Sequence, residues 1–387
     1  MVPNDQLFYP HQWALHKLGN EADINCQEGW DAFNAQTNPG SEEVIVAVID
    51  TGIDYNHPDL RNQMWVNPGE IPNNGKDDDG NGFVDDVHGV DLTSNNRGNP
   101  MDINNHGTHC AGVIAASTNN NRGIAGIAGV QKAKVKLMAI KSLAGTGQAS
   151  GELSWLLGGV NYAIEMGAQI SSNSWGGGSG GLNVLRAILN NAPEHLFIAA
   201  AGNLGKRLTA SDMTCGANAP NQICVGSTTK NNRRSSFSNY GKPYVHVMAP
   251  GSDIVSTISN NRYAYDSGTS MACPHVSGLA ALVKSMKSNL TPQQIKSLIE
   301  SNVQVKSEYS NICTSSGLID VYATIMAAKA FQPEKTCDGI ERWIGDGWCD
   351  VENNNPQCNY DGGDCCPPYQ KSNWNYYCKN NCQCLGA

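Results

Sequence analysis

The sequence has no surplus of base, no long apolar run and no apolar leader. Lys and Arg number 26 against 35 Asp and Glu, a formal net charge of -9. Surfaces that hold phosphate backbones cluster Lys and Arg, so nucleic acid is not an expected partner. The longest apolar stretches, Val44 to Ile49 and Leu196 to Ala201, fall far short of the ~18–20 residues of a membrane-spanning helix. No membrane span is expected. Met1 is followed by Asn4, Asp5 and His11 rather than by a basic start and an apolar core of ~7–15 residues. No signal peptide is read, and the sequence is taken as a mature or trimmed form. Glycine, at 41 residues, lacks a collagen-like period and is assigned to turns and close backbone approaches. A phosphate loop at Gly205-Lys206 is rejected because Arg207 stands where Ser or Thr is required.

Cysteine is abundant and unevenly placed. Six of the fourteen lie in residues 1–336 and eight in residues 337–387, a density in the tail above the ~8–10% that marks a disulfide scaffold. Such a tail persists in an oxidising compartment, so a secreted or extracellular protein is expected. Cys215 and Cys224, nine apart across an Ala/Gly/Pro-containing loop, are predicted to pair.

Residues 44–49 (VIVAVI) read as a strand buried on both faces, as in a parallel sheet. Val135–Lys141, Ile170–Ser174, Leu196–Ala201, Ile223–Gly226 and Tyr244–Ala249 are further strand candidates, separated by helix-compatible stretches at Gly107–Ser117, Gly151–Glu165 and Leu182–Asn191. The alternation predicts an α/β fold, a doubly wound and mostly parallel sheet. Thr291, Pro292 and Gln294 form a capping signature that predicts a helix over Pro292–Ser301. The apolar periodicity ends at Phe331, and Gln332-Pro333 marks the change to the Cys-rich tail. Two domains are therefore expected, 1–332 and a small disulfide-rich module at 333–387.

Three reactive side chains fall where open parallel sheets collect them, beyond strand ends and at helix starts. Asp50 follows the buried strand within VIDTGID, His106 lies within NNHGTHCAG and Ser270 within GTSMACPHVSG. A carboxylate, an imidazole and a hydroxyl in this chain order suit a nucleophilic serine, a histidine base and an orienting aspartate. A serine at a helix start also has its own N–H free for a developing oxyanion. Each residue alone is usually a cap or a surface group; it is the joint occurrence that carries the reading.

The segments DTGID (50–54), HGTH (106–109) and GTSMACPH (268–275) resemble the signatures of the subtilisin-like serine proteases (subtilases), over about Asn4 to Phe331. The resemblance implies a serine endopeptidase working through an acyl-enzyme, with Asp50, His106 and Ser270 as triad. Asn203, in AAAGN (199–203), is implied as oxyanion donor beside the Ser270 N–H. Substrate backbone would pair with segments 142–147 and 174–177, with Leu143, Gly145, Ser174, Trp175, Gly176, Leu204 and Thr214 as substrate-binding residues. Activity is expected to fall as pH drops through ~6.5, where His106 gains a proton. His109 is read as structural, since a helical metal pair needs spacing i and i+4 with a glutamate between. Cys110, beside His106, is read as core rather than nucleophile.

Residues 70–91 hold seven acids against one base. Within them Asp77, Asp79, Asn81 and Gly82 follow the start of an EF-hand-type loop, whereas position 12 is His88 rather than Glu. Calcium is expected here on Glu70, Asp77, Asp79 and Asn81, with Asp85 or Asp86 closing the coordination. By resemblance to the family's strong calcium site, Asp5, Asp59 and Asn120 would form a second one.

In the tail, CDVENNNPQCNYDGGDC (349–365) resembles the Notch-type repeat, which implies Asp350, Asp361 and Asp364 as calcium ligands. Asn353 stands where that repeat usually has its third cysteine. Expected partners are polypeptide substrates and a propeptide inhibitor outside this chain, and a monomer is expected. The rival reading is a catalytically silent binding protein; loss of Asp50, His106, Ser270 or Asn203 would support it, and all four are present.

Overall fold

The β-branched run at 44–49 forms β1 (Val44–Asp50), an interior strand of a nine-stranded sheet. The computed structural model describes residues 2–16, 23–36, 42–94, 97–176 and 180–332. The Cys-rich segment, with Asp350, Asp361 and Asp364, lies outside the described residues, as does Gly177. The chain divides into two compact units, Met1–Ala330 and Phe331–Ala387, and the description below concerns the first.

The strands after β1 are β2 (Gly89–Asp91), β3 (Val135–Lys141), β4 (Ile170–Asn173), β5 (Leu196–Ala200), β6 (Gln222–Thr228), β7 (Val247–Pro250), β8 (Ile254–Ile258), β9 (Arg262–Asp266), β10 (Val303–Val305) and β11 (Gly317–Ile319). The helices are α1 (Phe8–His11), α2 (Cys26–Asn34), α3 (His106–Ala115), α4 (Leu153–Glu165), α5 (Leu182–Asn191), α6 (Thr269–Met286), α7 (Pro292–Ser301) and α8 (Val321–Ala330). The sheet order is β10-β11-β7-β6-β5-β4-β1-β3-β2, parallel throughout except for β10 against β11. From β1 the chain winds outward to β3 on one side and returns to β4 on the other. The crevice beyond the carboxyl ends of β1 and β4 is thus a topological switch point, where open α/β sheets place ligands.

Helix α6 explains how the nucleophile candidate is held. It is apolar around nearly its whole circumference and packs on β4, β5, β6 and β7, as an all-round apolar helix must. Helix α7 begins on the expected capping box, with Thr291 accepting from Gln294 N and Gln294 returning the bond.

Two expectations differ from the structure. The strand expected over Tyr244–Ala249 starts only at Val247, because Tyr244 N and Val245 N both donate to the Gly241 carbonyl in a turn. The antiparallel hairpin β8–β9 was not expected, and it leads directly into the Ser270 segment. No helix among the described residues is long and apolar enough to cross a membrane.

Candidate active site

Asp50, the last residue of β1, is fully buried, and its Oδ1 lies 2.7 Å from His106 Nδ1. The same oxygen accepts from Thr51 N at 2.7 Å. His106 opens α3, and its side chain keeps 24% exposure. With Nδ1 directed at the carboxylate, Nε2 is the nitrogen left to act as a base. Desolvation works against the charged imidazole. The Asp50 charge and hydrogen bond, with help from Asp266 and Asp102, outweigh it and raise the His106 pKa to about 9. The ~6.5 of the sequence expectation is the value of a histidine without a carboxylate partner.

Ser270 occupies the first turn of α6 and its hydroxyl donates to the Ser174 carbonyl at 3.2 Å. Asn203 follows β5 and turns towards the same turn of helix. Its Oδ1 accepts from Thr269 N at 2.9 Å and from Thr269 Oγ1 at 2.8 Å. A backbone N–H can be met only by an acceptor, so this contact fixes the amide orientation. Nδ2 is then the atom left as a donor. A Cβ at Gly268 would lie 3.3 Å from Asn203 Nδ2 and 3.5 Å from Ser270 N, so both nitrogens border the space that this glycine keeps open. Asn239 braces the loop by accepting from Leu204 N and Lys206 N and donating to Ala201 O.

Sequence reasoning missed Asp102. Its buried carboxylate accepts from Thr51 Oγ1, Asn104 N, Asn105 N, Thr108 N and Thr108 Oγ1. It satisfies donors at the start of α3, where a negative charge is favoured, and ties that start to the end of β1. An acid four residues before a helix-opening histidine is the signal that could have found it. Thr269 was missed too, although it adjoins Ser270.

His109 and Cys110 fit their structural readings. His109 Nε2 faces the carbonyls of Ile254 and Ala264, and burial lowers its pKa to about 4. Burial, with the Asp50 charge, pushes the Cys110 thiol well above its usual value, so it does not supply a thiolate.

The substrate-binding candidates separate into two groups. Segment 142–147 is anchored to β1, since Ser142 N and Leu143 N both donate to Asp50 O. Asn104 Nδ2 donates to the carbonyls of Gly145 and Gly147, so this edge is tied to the loop before His106. On the facing side, a Cβ at Gly176 would come within 3.3 Å of Thr214 Oγ1. Thr214 is backed by the Cys215–Cys224 disulfide, which forms as the spacing predicts. Trp175 is buried, with its ring edge against Phe197. Leu204, next to Asn203, stands 74% exposed. Gly202 has a positive φ, and Asn239 accepts from Leu204 N in the stretch that follows.

Of the acidic loop, Glu70, Asp77 and Asp79 bring carboxylate oxygens within 4.8 Å of one another. Glu70 is buried, and its Oε2 has no hydrogen-bond partner. An orphaned carboxylate oxygen beside two further acids suits a hard cation. Asn81 stands next to the group, donating from Nδ2 to Asp79 and Asp86. Asp86 is placed differently from the expectation: it receives the Tyr162 hydroxyl, Asn81 and Asn67. Asp85 accepts from Asn74 N and Gly75 N. Neither is among the three acids, Glu70, Asp77 and Asp79, whose carboxylate oxygens lie within 4.8 Å of one another.

Asp5, Asp59 and Asn120 do come together. Asp5 accepts from Asn119 N and Asn120 N, and Asn120 Nδ2 donates to Asp59 Oδ1 at 2.8 Å. Burial raises the Asp5 pKa against those N–H groups, and the Asp59 charge adds to the rise. Two buried acids that both accept from Asn120 suit a cation nearby.

Residues 41–324 match the Subtilase family, and residues 334–366 match the LNR domain of Notch. A thermophilic serine proteinase of Bacillus sp. (strain AK1) is 39% identical over 294 residues, which is 74% of this chain but 61% of that protein. Thermitase of Thermoactinomyces vulgaris is 36% identical over 326 residues, covering 84% of this chain and 99% of its own. Among solved structures, a protease from Pseudoalteromonas arctica is similar with a TM-score of 0.63 and 29% identity, covering 85% of this chain and 100% of its own. The match to the subtilisin-like protease 1 of Plasmodium berghei spans 52% of that protein.

Proposed function

Because the chain belongs to the subtilase family, we propose that it is a serine endopeptidase that cleaves polypeptides through a covalent acyl-enzyme. The observation that carries this reading is the 2.7 Å Asp50–His106 bond, together with a serine whose own nitrogen and the neighbouring Asn203 amide nitrogen border one space. The Ser270 hydroxyl rotates from Ser174 O to His106 Nε2, which takes its proton as Oγ attacks the scissile carbonyl. The oxyanion is received by Asn203 Nδ2 and Ser270 N. His106 then passes its proton to the leaving amine, and water repeats the sequence to release the acyl group. Fluorophosphonate labelling of one serine, located at Ser270 by peptide mapping, is the expected result. A folded protein that takes no label favours the silent binding protein instead.

The pH dependence follows from the raised pKa of His106. A raised value means that the protonated form persists to higher pH, and only the neutral form is a base. Activity should therefore fall with decreasing pH through a midpoint above the ~6.5 of an unperturbed histidine. A kcat/KM profile with its acid limb at or below that value would show that the Asp50 interaction does not outweigh desolvation at His106.

Calcium is proposed at two places in the protease domain, on Glu70, Asp77 and Asp79, and on Asp5, Asp59 and Asn120. The orphaned Glu70 Oε2 and the buried Asp5–Asp59 pair support the reading. A cation bound only by the folded state stabilises it by mass action, ~2.7 kcal/mol at a hundredfold excess over the dissociation constant. Chelation should lower the melting temperature, and Glu70→Gln should remove part of that dependence. With the boundary proposed at 332/333, a chain ended at Gln332 should keep the same calcium-dependent melting. Melting that ignores chelator in both forms would count against calcium, and dependence lost with the tail would place it elsewhere. The LNR match and the Cys215–Cys224 disulfide support a secreted protein. Calcium on Asp350, Asp361 and Asp364, a zymogen stage with a propeptide and a monomeric state belong to the same reading.

A further inference from the structure

Pro274 lies inside α6, four residues after Ser270. A proline has no N–H to return to the carbonyl four residues before it, so the Ser270 carbonyl loses its helical partner. Two side chains from elsewhere in the fold replace it. Ser174 Oγ donates to the Ser270 carbonyl at 2.8 Å, and Cys110 Sγ donates at 3.4 Å. Both residues are buried. Ser174 follows the end of β4, and Cys110 sits in the second turn of α3. The contact with Ser174 is reciprocal, since Ser270 Oγ donates to Ser174 O at 3.2 Å.

We propose that Ser174 Oγ and Cys110 Sγ are positioning groups for the nucleophile: they hold the Ser270 main chain at the carbonyl that Pro274 releases. The proposal rests on the reading of Ser270 as nucleophile. With an ordinary helical bond at this carbonyl, the direction of the Ser270 peptide would be set by α6 alone. With the bond removed, it is set also by the residue after β4, whose main chain forms the substrate edge, and by α3, which His106 opens. Nucleophile, base and substrate edge then share one frame. The leverage is large, because a misplacement of ~1 Å in a reacting group can cost ~10²-fold in rate, against about fivefold for one net hydrogen bond in an equilibrium.

The test uses the full chain with Ser174→Ala and Cys110→Ala, each alone and combined with Pro274→Ala, which returns an N–H to the Ser270 carbonyl. Ser174→Ala keeps its main chain, so the substrate edge survives. Three quantities are read: kcat and KM on a peptide, the rate of fluorophosphonate inactivation, and the melting temperature. Ser174→Ala should lower kcat and the inactivation rate about tenfold with KM within about twofold, and Cys110→Ala should have a smaller effect in the same sense. With Pro274→Ala already present, the Ser174→Ala loss should shrink to less than about twofold, because coupled sites are non-additive. Equal losses in both backgrounds overturn the proposal, as does a raised KM with unchanged kcat, or a lowered melting temperature with unchanged rates. If the unaltered protein takes no fluorophosphonate, the protease reading fails first; if it labels and the losses simply add, only the positioning role fails.

Discussion

Ser270→Ala should reduce peptide hydrolysis by about 10⁶-fold in kcat, the scale known for loss of the nucleophile in this family. The change removes one oxygen whose described hydrogen bond is a 3.2 Å contact to Ser174 O. The Ser270 main chain keeps its bonds from Ser174 and Cys110, and alanine is the best helix former for the first turn of α6. The melting temperature should therefore hold. Substrate binding should hold as well, because the edges at 142–147 and 174–176 are untouched. The oxyanion donors also remain, so a residual rate of ~10³–10⁴ above water is expected rather than none. The decisive measurement is active-site titration with a burst-forming substrate, alongside peptide binding by calorimetry. A burst in the Ser270→Ala protein would remove Ser270 from the role of nucleophile.

The reactive residues were legible because each sits in a short local pattern at the end of a regular element. Asp50 closes a strand whose β-branched run is unbroken, and α5 and α7 have the expected bounds because their ends carry apolar or capping signals. What the sequence does not carry is the partner of a polar group far away in the chain. Asp86 and Tyr162 are 76 residues apart, and Asn104 meets Gly145 across 41. Nothing in periodicity marks either pair. The acidic loop is a case in point: the spacing of Asp77, Asp79 and Asn81 was readable, yet that Asp86 receives the hydroxyl of Tyr162 from α4 was not. The hairpin β8–β9 escaped because its second strand is largely exposed and mixes Arg, Tyr and Asp with small residues, so no clean alternation distinguishes it from a loop.

Asn203→Ala is expected to lower kcat by ~10²–10³-fold, the scale measured for the same loss in a member of this family, with KM changed far less. The reason lies in timing: Nδ2 points at a charge that exists only once the carbonyl has been attacked, so its removal spares the ground state. Alanine does two things at once, however. It deletes the donor, and it leaves Thr269 N and Oγ1 without the acceptor that now sits at 2.9 and 2.8 Å. Asn203→Asp separates the two effects. The aspartate is isosteric and keeps an oxygen for Thr269, but it places a second oxygen where Nδ2 stood, and a negative oxygen repels the oxyanion. If Asn203 acts as a donor, the Asp variant should lose at least as much kcat as the Ala variant while its melting temperature stays closer to that of the unaltered protein. The deficit should persist on the alkaline plateau, where His106 is neutral in all three proteins. An Asp variant with nearly full activity would mean that Asn203 serves only to hold Thr269, and the oxyanion would then have to be received by Ser270 N without it.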